Sequence, residues 1–581
     1  MIPAAIFTIW LFLITRWPEA KTIKAFTTFH AMLSAGMATV VVFLPVDWLI
    51  AWPLLPLFMI DFLVFIWKPK GAFLEVYERS MGYAFRLSMV PAAFVASTLS
   101  IDLFAWSVAF VVACQAAIVI YQRHTKRKLG YNPRMGQRTV GTLGNPIQTG
   151  DFLAVGLFFQ AYFITTPFYL ISVALMPITI YALTLTRGRS PVIAILAGSF
   201  ILIAHGLGPM ALLMAIPILA LASLNRQEWK CEARLDYWKY AFKRKIKEWW
   251  KPSGMCSVER FMATTPELRK RTLTRRTDRT HNWFLDLFIE GGIWYPAYII
   301  YISVFAIIFL PPLLSAALVC WLVGQFFAFP FQGNYMLWIG LVAVGLPFKI
   351  SSVPLFVLAP AMIIAFVLYL LAVIAARIIR KQPKSWLDAY FKLRLANLMC
   401  PYLHYRMSAQ IMANPRLFDK ESLKSEIDRL KKSKSLPYGL DSARVRIAML
   451  ALLGEKETAK KEVTEYLSEF PGDPQLMRMK AHVTGEGLQE TLEKIVTEFE
   501  TVYHKSWSYE SVFWLELLVV TIKSDKRRAQ KIADRMIKRH GEEARRAIKE
   551  FNKRLREQAK QKSTEENRAT KSSDTASTDG E

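Results

Sequence analysis

A single histidine stands at the end of a long hydrophilic segment, immediately before an apolar run. His281 is followed by Asn282, and Trp283 begins a stretch of large apolar residues. At the start of a helix on a membrane surface the neutral form of imidazole is favoured, and a neutral imidazole can accept a proton. The same position suits a helix cap or an interface residue. The residues alone leave a general base and a capping residue as open interpretations.

Two arginines lie on a tight turn between apolar runs. The turn reads Thr-Arg-Gly-Arg-Ser-Pro, and it is too short to carry Arg187 or Arg189 away from the bilayer surface. A planar, permanently charged guanidinium in this place suits a phosphate or diphosphate ligand. Arginines at a membrane boundary also reach into the headgroup layer without any specific ligand.

A third arginine belongs to the hydrophilic segment itself. Helical spacing places Arg234, Trp238 and Ala241 on one face, so that a guanidinium can be held next to an indole. No second His or Cys and no acidic cluster with ligand spacing lies near His281. We therefore expect a site without a metal and without a cofactor.

The elements that must position these residues are membrane helices. The chain has 581 residues, of which 53% are hydrophobic and 13% aromatic, and its mean hydropathy is positive. Apolar runs of spanning length recur up to about residue 377, and the chain is polar beyond them. The predicted fold is all-α: a polytopic transmembrane helical bundle of about 12 to 13 spans, followed by a soluble α-helical domain.

The predicted boundaries follow this change of composition. Residues 1–378 form the transmembrane domain with the hydrophilic loop 225–283, residues 379–559 form the soluble domain, and residues 560–581 form a disordered tail. The predicted spans are Ile2 to Leu13, Ala25 to Leu44, Trp48 to Trp67, Gly82 to Leu99, Leu103 to Tyr121, Phe152 to Thr166, Phe168 to Leu185, Pro191 to Ala204, Met210 to Leu224, Ile293 to Pro311, Leu313 to Pro330, Tyr335 to Pro347 and Pro354 to Ala376.

The soluble part contains a helix closed by Gly454, a second helix, and a restart at Pro471-Gly-Asp-Pro474. This order is similar to a degenerate tetratricopeptide-like pair, although an irregular helical domain fits the weak periodicity nearly as well.

The net charge of +27 does not indicate nucleic acid, because much of the excess Lys and Arg lies in loops between apolar runs. Anionic lipid headgroups or phosphorylated lipids are the partners that this setting favours, and an amphipathic helix lying on anionic lipid is the simplest interpretation of the loop 225–283. Cys231 and Cys256 share that loop and can pair only in an oxidising compartment.

Three hydrophilic segments should meet at one face of the membrane. They are residues 122–150, 186–191 and 225–283, and two predicted helices separate each from the next. The positive-inside rule assigns such basic loops to the cytoplasm.

Four stretches in this order resemble the O-antigen ligase/polymerase superfamily of bacterial inner-membrane glycosyltransferases. They are GTLGNPIQTGDFLAVG from Gly141, LTLTRGRSPVIAIL from Leu183, RLDYWKYA from Arg234 and HNWFLDLFIEGG from His281. The sequence departs from the family pattern at Ile147, where a second Asn is common, and at Gly188-Arg189, which replaces Ser-Arg. The resemblance covers roughly residues 103–376.

The resemblance implies transfer of a glycan from a polyprenyl (undecaprenyl) diphosphate carrier to an acceptor hydroxyl at the periplasmic face, in a multi-pass inner-membrane protein. The basic loops would then be periplasmic. It implies that Arg189 and Arg234 hold the diphosphate and that His281 is the base on the acceptor. The remaining pocket residues that we expect are Arg187, Asn282, Trp238, Asn145, Gln122 and Arg138.

The acceptor stays open between lipid A core, a protein and the growing glycan. An O-antigen ligase or a protein O-oligosaccharyltransferase fits the first two, and a polysaccharide polymerase of the same superfamily fits the third. A transporter or flippase for an anionic lipid-linked solute is a further alternative, which the near absence of charge inside the predicted spans disfavours. A membrane-anchored scaffold is another.

Overall fold

In a computed structural model of the chain, two compact units are formed, one by the described residues up to Val445 and the other by those from Arg446. The residues that the structure describes are chiefly 55–67, 99–125, 134–135, 138–139, 145–223, 232–255, 257–263, 279–328, 332–346, 439–469, 473–501 and 507–553, with isolated positions such as Arg86 between them.

The first unit is helical. Its helices are α1 (Leu55–Trp67), α2 (Ile101–Thr125), α3 (Pro146–Tyr162), α4 (Tyr169–Thr186), α5 (Ser190–Ala204), α6 (Gly208–Ser223), α7 (Glu232–Lys245), α8 (Val258–Ala263), α9 (Trp283–Gly291), α10 (Trp294–Phe309), α11 (Pro312–Phe326) and α12 (Gln332–Gly345). Short 3₁₀ turns follow α3 at Phe163–Thr165 and α7 at Ile246–Glu248. Within the described residues the sole strands are β1 (Arg134–Met135) and β2 (Arg138–Thr139), an antiparallel hairpin. The all-α prediction is confirmed for this part of the chain.

Helix α3 is the centre of the first unit. It packs against α2, α4, α5, α11 and α12 and is buried along nearly all of its length. Small residues let the helices approach closely. A Cβ at Gly198 on α5 would lie 2.7 Å from the main-chain oxygen of Ala316 on α11, as at the close helix contacts of membrane proteins.

Within the described ranges, three helices are long and apolar enough to cross a membrane, namely Ile101–Thr125, Pro146–Thr165 and Tyr169–Thr186. Four shorter apolar helices accompany them: Ser190–Ala204, Trp294–Phe309, Pro312–Phe326 and Asn334–Gly345. The span predicted from Phe152 begins six residues earlier, at Pro146. The Asn145 side chain accepts hydrogen bonds from the amides of Ile147 and Gln148, and this cap starts the helix inside the polar stretch.

Several sequence predictions fall outside the described residues. They include the spans Ala25 to Leu44 and Pro354 to Ala376, the boundary at residue 378, the tail 560–581, and the pair Cys231 and Cys256.

The second unit is a series of helices in which each packs on the next. They are α13 (Gly439–Leu452, which crosses the unit boundary), α14 (Lys456–Glu469), α15 (Pro474–Thr484), α16 (Leu488–Thr501), α17 (Trp507–Ser524) and α18 (Lys526–His540). Its core includes Phe499, Trp514 and Met536. Arg528 pairs with Glu493 at 2.6 Å and Arg535 pairs with Glu500 at 2.6 Å, so that α18 lies beside α16.

Candidate functional site

The hydrophilic segments of the first unit meet at one end of its bundle. Helices α2, α4 and α11 end there, whereas α3, α5 and α12 begin there. Contacts across this end join them: Gln122 Nε2 donates to the main-chain oxygen of Gly141 over 3.2 Å, and Asn334 Nδ2 donates to Gln148 Oε1 over 2.7 Å.

The arginine turn connects α4 to α5 at this end. Arg187 caps α4 in the left-handed conformation with φ 51°, and Arg189 precedes the first residue of α5. Both side chains are partly exposed. Ser190 Oγ donates to Asp151 Oδ1 of α3 over 2.8 Å. The turn is therefore fixed to the central helix directly beside Arg189.

Asp151 is a buried carboxylate under this turn. Its Oδ2 has no hydrogen-bond partner in the part of the chain that the structure describes, and the Arg234 guanidinium lies within Coulombic range of it. A Cβ on Gly324 of α11 would lie 3.4 Å from the Asp151 carboxyl. Asp151 thus lies between the arginine turn, α11 and the charge of Arg234.

Helix α7 brings the third arginine to the same end. Arg234 Nη1 donates to the main-chain oxygen of Phe327, just beyond α11, over 3.1 Å. The Trp238 ring packs against the Phe326 and Phe327 rings with centroids 5.5 and 6.0 Å away. Ala241, one turn further along the same face, is completely buried. The predicted inner face of α7 is the face that packs on the bundle.

His281 lies on the turn that α7 contacts. Trp238 Nε1 donates to the main-chain oxygen of Thr280 over 2.9 Å, immediately before the histidine. His281 has φ 59° and is partly exposed, and Asn282 Oδ1 caps α9 by accepting from the amide of Leu285 at 3.1 Å. The residue that caps α9 is therefore Asn282 and not His281.

Backbone strain coincides with the predicted chemistry. Among the residues that the structure describes, Arg187 and His281 are the two non-glycine residues with positive φ. A left-handed conformation costs a residue with a side chain about 1 to 2 kcal/mol, and such strain persists only where the surroundings impose it. Both positions are among the site residues that the sequence predicts.

The first helical residue after the turn is anchored by aromatic rings. Trp283 is buried, and its ring lies 5.3 Å from that of Trp321 and 5.7 Å from that of Trp338, in edge-to-face arrangements. Trp321 Nε1 in turn donates to the main-chain oxygen of Asn334 over 2.8 Å. This cluster holds the start of α9 against α11 and α12, and it thereby limits the position of His281 two residues earlier.

A buried network of charged residues, which sequence reasoning missed, supports α9 from below. Arg86 pairs with Asp61 at 2.7 Å and with Glu290 at 3.0 Å, and Arg279 pairs with the other oxygen of Glu290 at 3.1 Å. The Tyr295 hydroxyl also bonds Arg86 and Asp61. Asp61 and Arg86 lie within predicted spans, contrary to the expectation that span interiors carry almost no charge.

Asp286 connects this network to the histidine turn. Its Oδ1 accepts from the Thr280 amide at 3.0 Å and from Thr280 Oγ1 at 2.7 Å, and Arg279 lies 3.8 Å from its Oδ2. Burial raises the pKa of the Asp286 carboxyl to about 6, against the opposing effect of Arg279 and the bonds from Thr280. The turn before His281 is thereby tied to α9 by a buried carboxyl whose pKa is raised.

Within the residues that the structure describes, three of the remaining predicted pocket residues, Asn145, Gln122 and Arg138, are not shown to line a pocket. Asn145 caps α3, and Gln122 bonds the loop after the hairpin, so both hold the scaffold at the site end. Arg138 lies in β2, and its side chain lies outside the described part of the structure. The signal that would have identified Asn145 as a cap is the following proline at the first helical position.

The arrangement combines guanidinium groups with one imidazole at one end of a helical bundle whose core is apolar. Ser190, which follows Arg189, bonds Asp151, Arg234 lies within Coulombic range of Asp151, and the helix that carries Arg234 bonds the turn of His281. Fixed guanidinium groups can neutralise the negative charge that develops on a departing diphosphate, and an imidazole can take the proton of an attacking hydroxyl.

Comparison of the chain with protein-family models, with curated proteins and with solved structures finds no match in any of the three.

Proposed function

We propose that this protein is a multi-pass membrane glycosyltransferase that moves a glycan from a polyprenyl diphosphate carrier to an acceptor hydroxyl, in the manner of the O-antigen ligase/polymerase superfamily. Support comes from the convergence of residues from three separate hydrophilic segments: Ser190 beside Arg189 bonds Asp151, Arg234 lies near Asp151, and Trp238 bonds the residue before His281.

The proposed reaction needs no metal. The acceptor oxygen attacks the anomeric carbon of the glycan while the bond from that carbon to the diphosphate oxygen breaks, and the bonding electron pair leaves with the lipid diphosphate. Arg189 and Arg234, with Arg187 as a further cation, neutralise the departing charge. His281 takes the proton of the acceptor hydroxyl.

The proposal includes the membrane setting. The three long apolar helices and the four shorter ones are part of a polytopic bundle of about 12 to 13 spans. The site opens at the periplasmic face of a bacterial inner membrane, where a lipid-linked glycan presents its diphosphate.

The acceptor that we favour is a protein or the lipid A core. In the second unit, α16 and α18 lie side by side. Arg528 of α18 donates to Glu493 of α16 and Arg535 donates to Glu500, so that each bonded pair is 35 positions apart in the chain. A tetratricopeptide-like repeat of about 34 residues has this spacing, and stacked helical repeats present extended binding surfaces. A peptide segment of an acceptor protein is the ligand that such a surface would take.

The decisive experiment removes the imidazole of His281 without changing the backbone conformation of the turn. In His281→Asn the new residue tolerates the left-handed conformation, so the turn is kept while the proposed base is lost. We expect glycan transfer to fall by about 10² to 10⁴, measured with lipid-linked donor in proteoliposomes, with unchanged yield of folded protein. His205→Asn, at an exposed histidine after α5, is the matched control. Full activity of the His281 variant would refute the proposal.

A transporter or flippase is the second candidate, and the buried charges in predicted spans are the observation in its favour. Arg86 pairs with both Asp61 and Glu290, and Arg279 connects Glu290 to Asp286 and so to the His281 turn, which suits a rigid support better than a path for solute. A flippase moves the donor across the bilayer with its diphosphate bond to the glycan intact. Release of free polyprenyl diphosphate in the presence of acceptor therefore distinguishes the two activities.

A further inference from the structure

The outer face of α7 exposes large apolar side chains beside lysines. Leu235 and Phe242 on the helix, and Ile246, Trp249 and Trp250 just beyond it, expose 45% to 59% of their surface. The lysines along the same side, all exposed, are Lys239, Lys243, Lys247 and Lys251.

Helical geometry shows that this is one continuous face. At about 100° per residue, Leu235, Lys239, Phe242 and Lys243 fall within about 100° of one another on the helix surface. Trp238, Ala241 and Lys245 fall within about 60° of one another, and the centre of their face lies about 120° from the centre of the exposed one. Ala241 and Lys245 are fully buried, and the Lys245 ammonium donates to Ser253 Oγ over 3.2 Å. The exposed face therefore points away from the bundle.

The exposed face continues into the apolar outer surface of the bundle. The Trp249 and Trp294 rings lie 6.3 Å apart, and the main-chain oxygen of Trp249 accepts from the amide of Ile293 at 2.9 Å. Trp294 begins α10, where Ile300, Val304 and Ile308 are exposed along one side. Tryptophan at the end of an apolar helix marks the boundary between hydrocarbon and headgroups.

We propose that this face, Leu235 to Lys251, is a binding surface for anionic phospholipid, in which the apolar side chains enter the acyl boundary and the lysines contact the headgroups. An amphipathic helix with large apolar residues on one side and lysines at their edge binds a charged bilayer surface in this way. A partner protein would offer acidic side chains at matched positions, whereas an anionic leaflet extends along the whole face and is continuous with the surface of α10.

The consequence concerns the site at the other side of the same helix. Arg234 and Trp238 lie on the inner face of α7, so the lipid that holds the outer face also sets the position of the guanidinium and of the turn at Thr280. The charge of the leaflet would thereby regulate the site. This second step rests on the proposed function, but the lipid contact does not.

The test uses the full chain in nanodiscs of neutral lipid alone or with about 30% phosphatidylglycerol. Hydrogen exchange of residues 232–251 should be at least about tenfold slower with the anionic lipid. In the wild-type protein about 1 M salt, with a Debye length near 3 Å, should remove the difference. Equal exchange in the two lipids would overturn headgroup binding, whether the segment is protected in both or in neither.

A matched pair of triple variants identifies the lysines. Lys239→Gln, Lys243→Gln and Lys247→Gln together should abolish the dependence on anionic lipid, while Lys456→Gln, Lys460→Gln and Lys461→Gln, at exposed positions on α14, should leave it unchanged. If the first triple variant keeps the full dependence, the assignment is wrong.

Transfer activity supplies the last arm. If anionic lipid slows the hydrogen exchange of α7 but does not change donor turnover, the lipid-binding surface is supported and its effect on the site is contradicted. If His281→Asn is also fully active, the proposed function falls separately.

Discussion

The indole nitrogen of Trp238 donates a hydrogen bond to the main-chain oxygen of Thr280 over 2.9 Å, and this bond joins two segments that are 42 residues apart in the chain. One segment presents Arg234 and the other presents His281. A guanidinium that binds a leaving group and an imidazole that accepts a proton must keep a fixed separation, since small displacements of reacting groups lower rates strongly. In the proposed reaction, the bond between Trp238 and Thr280 would supply that constraint.

Trp238→Phe should lower glycan transfer without unfolding the protein. Phenylalanine keeps the ring contacts with Phe326 and Phe327 but leaves the oxygen of Thr280 without this donor. A net loss of about 1 kcal/mol in the positioning of the site corresponds to about a fivefold fall in rate. Turnover of lipid-linked donor in proteoliposomes measures it.

Trp106→Phe is the control for the loss of an indole, because Trp106 packs on the Phe163 and Phe168 rings near the start of α2, at the other end of that helix from the site. Equal losses in the two variants would show that the bond to Thr280 does not matter for the reaction.

Asp286→Asn should flatten the pH dependence of stability. The pKa of the buried carboxyl is raised from 3.8 to about 6, so the folded protein holds a proton that the unfolded chain has released. The stability due to this group is present below pH 4 and is lost as the pH rises through about 6. Asparagine stays neutral and its Oδ1 can still accept from Thr280. Melting temperature in detergent between pH 4 and pH 7 measures the change.

Asp286→Ala is the contrasting variant. It leaves the amide and the hydroxyl of Thr280 without their buried acceptor, and each unsatisfied donor costs about 1 to 3 kcal/mol. The alanine variant should be less stable than the asparagine variant at every pH and should transfer glycan more slowly. Equal behaviour of the two would show that Asp286 does not hold the turn.

The site could be predicted from the sequence only in part. Arg187, Arg189, Arg234 and His281 are recognisable because an even number of predicted helices between hydrophilic segments brings those segments to one face. The scaffold beneath them could not be foreseen. Glu290 bonds Arg86, 204 positions away, and no local pattern relates two residues so far apart.

Capping roles show the same limit on a smaller scale. Asn145 and Asn282 were expected to contact substrate, and the structure shows that each side chain accepts from main-chain amides at the start of a helix. A polar residue before a helix fits both roles in sequence. What separates them is whether its oxygen is already engaged, and that depends on the exact residue at which the helix begins.

Arg187→Gly separates conformation from charge at the arginine turn. Glycine adopts φ 51° without steric conflict, and we expect the free energy of unfolding to rise by about 1 kcal/mol. If the guanidinium binds the diphosphate, the KM for the donor should rise at least about tenfold. Thermal unfolding and donor titration measure the two effects. A more stable variant with an unchanged KM would make Arg187 a purely conformational residue.

In the second unit, His540→Gln should remove a loss of stability in mild acid. The side chain of His540 is buried, with Nε2 2.9 Å from Glu510 Oε2, and Arg539 pairs with the same carboxylate at 2.6 Å. Burial lowers the pKa of His540 below its ordinary value of 6.5. In mild acid the histidine is therefore protonated more in the unfolded chain than in the folded one, and the free energy of unfolding falls as the pH drops below about 6.5. Hydrogen exchange of residues 507–540 in the full chain at pH 7 and pH 5 should show faster opening in acid for the wild type and for His482→Gln, an exposed control. An unchanged acid response in His540→Gln would assign the effect to another group.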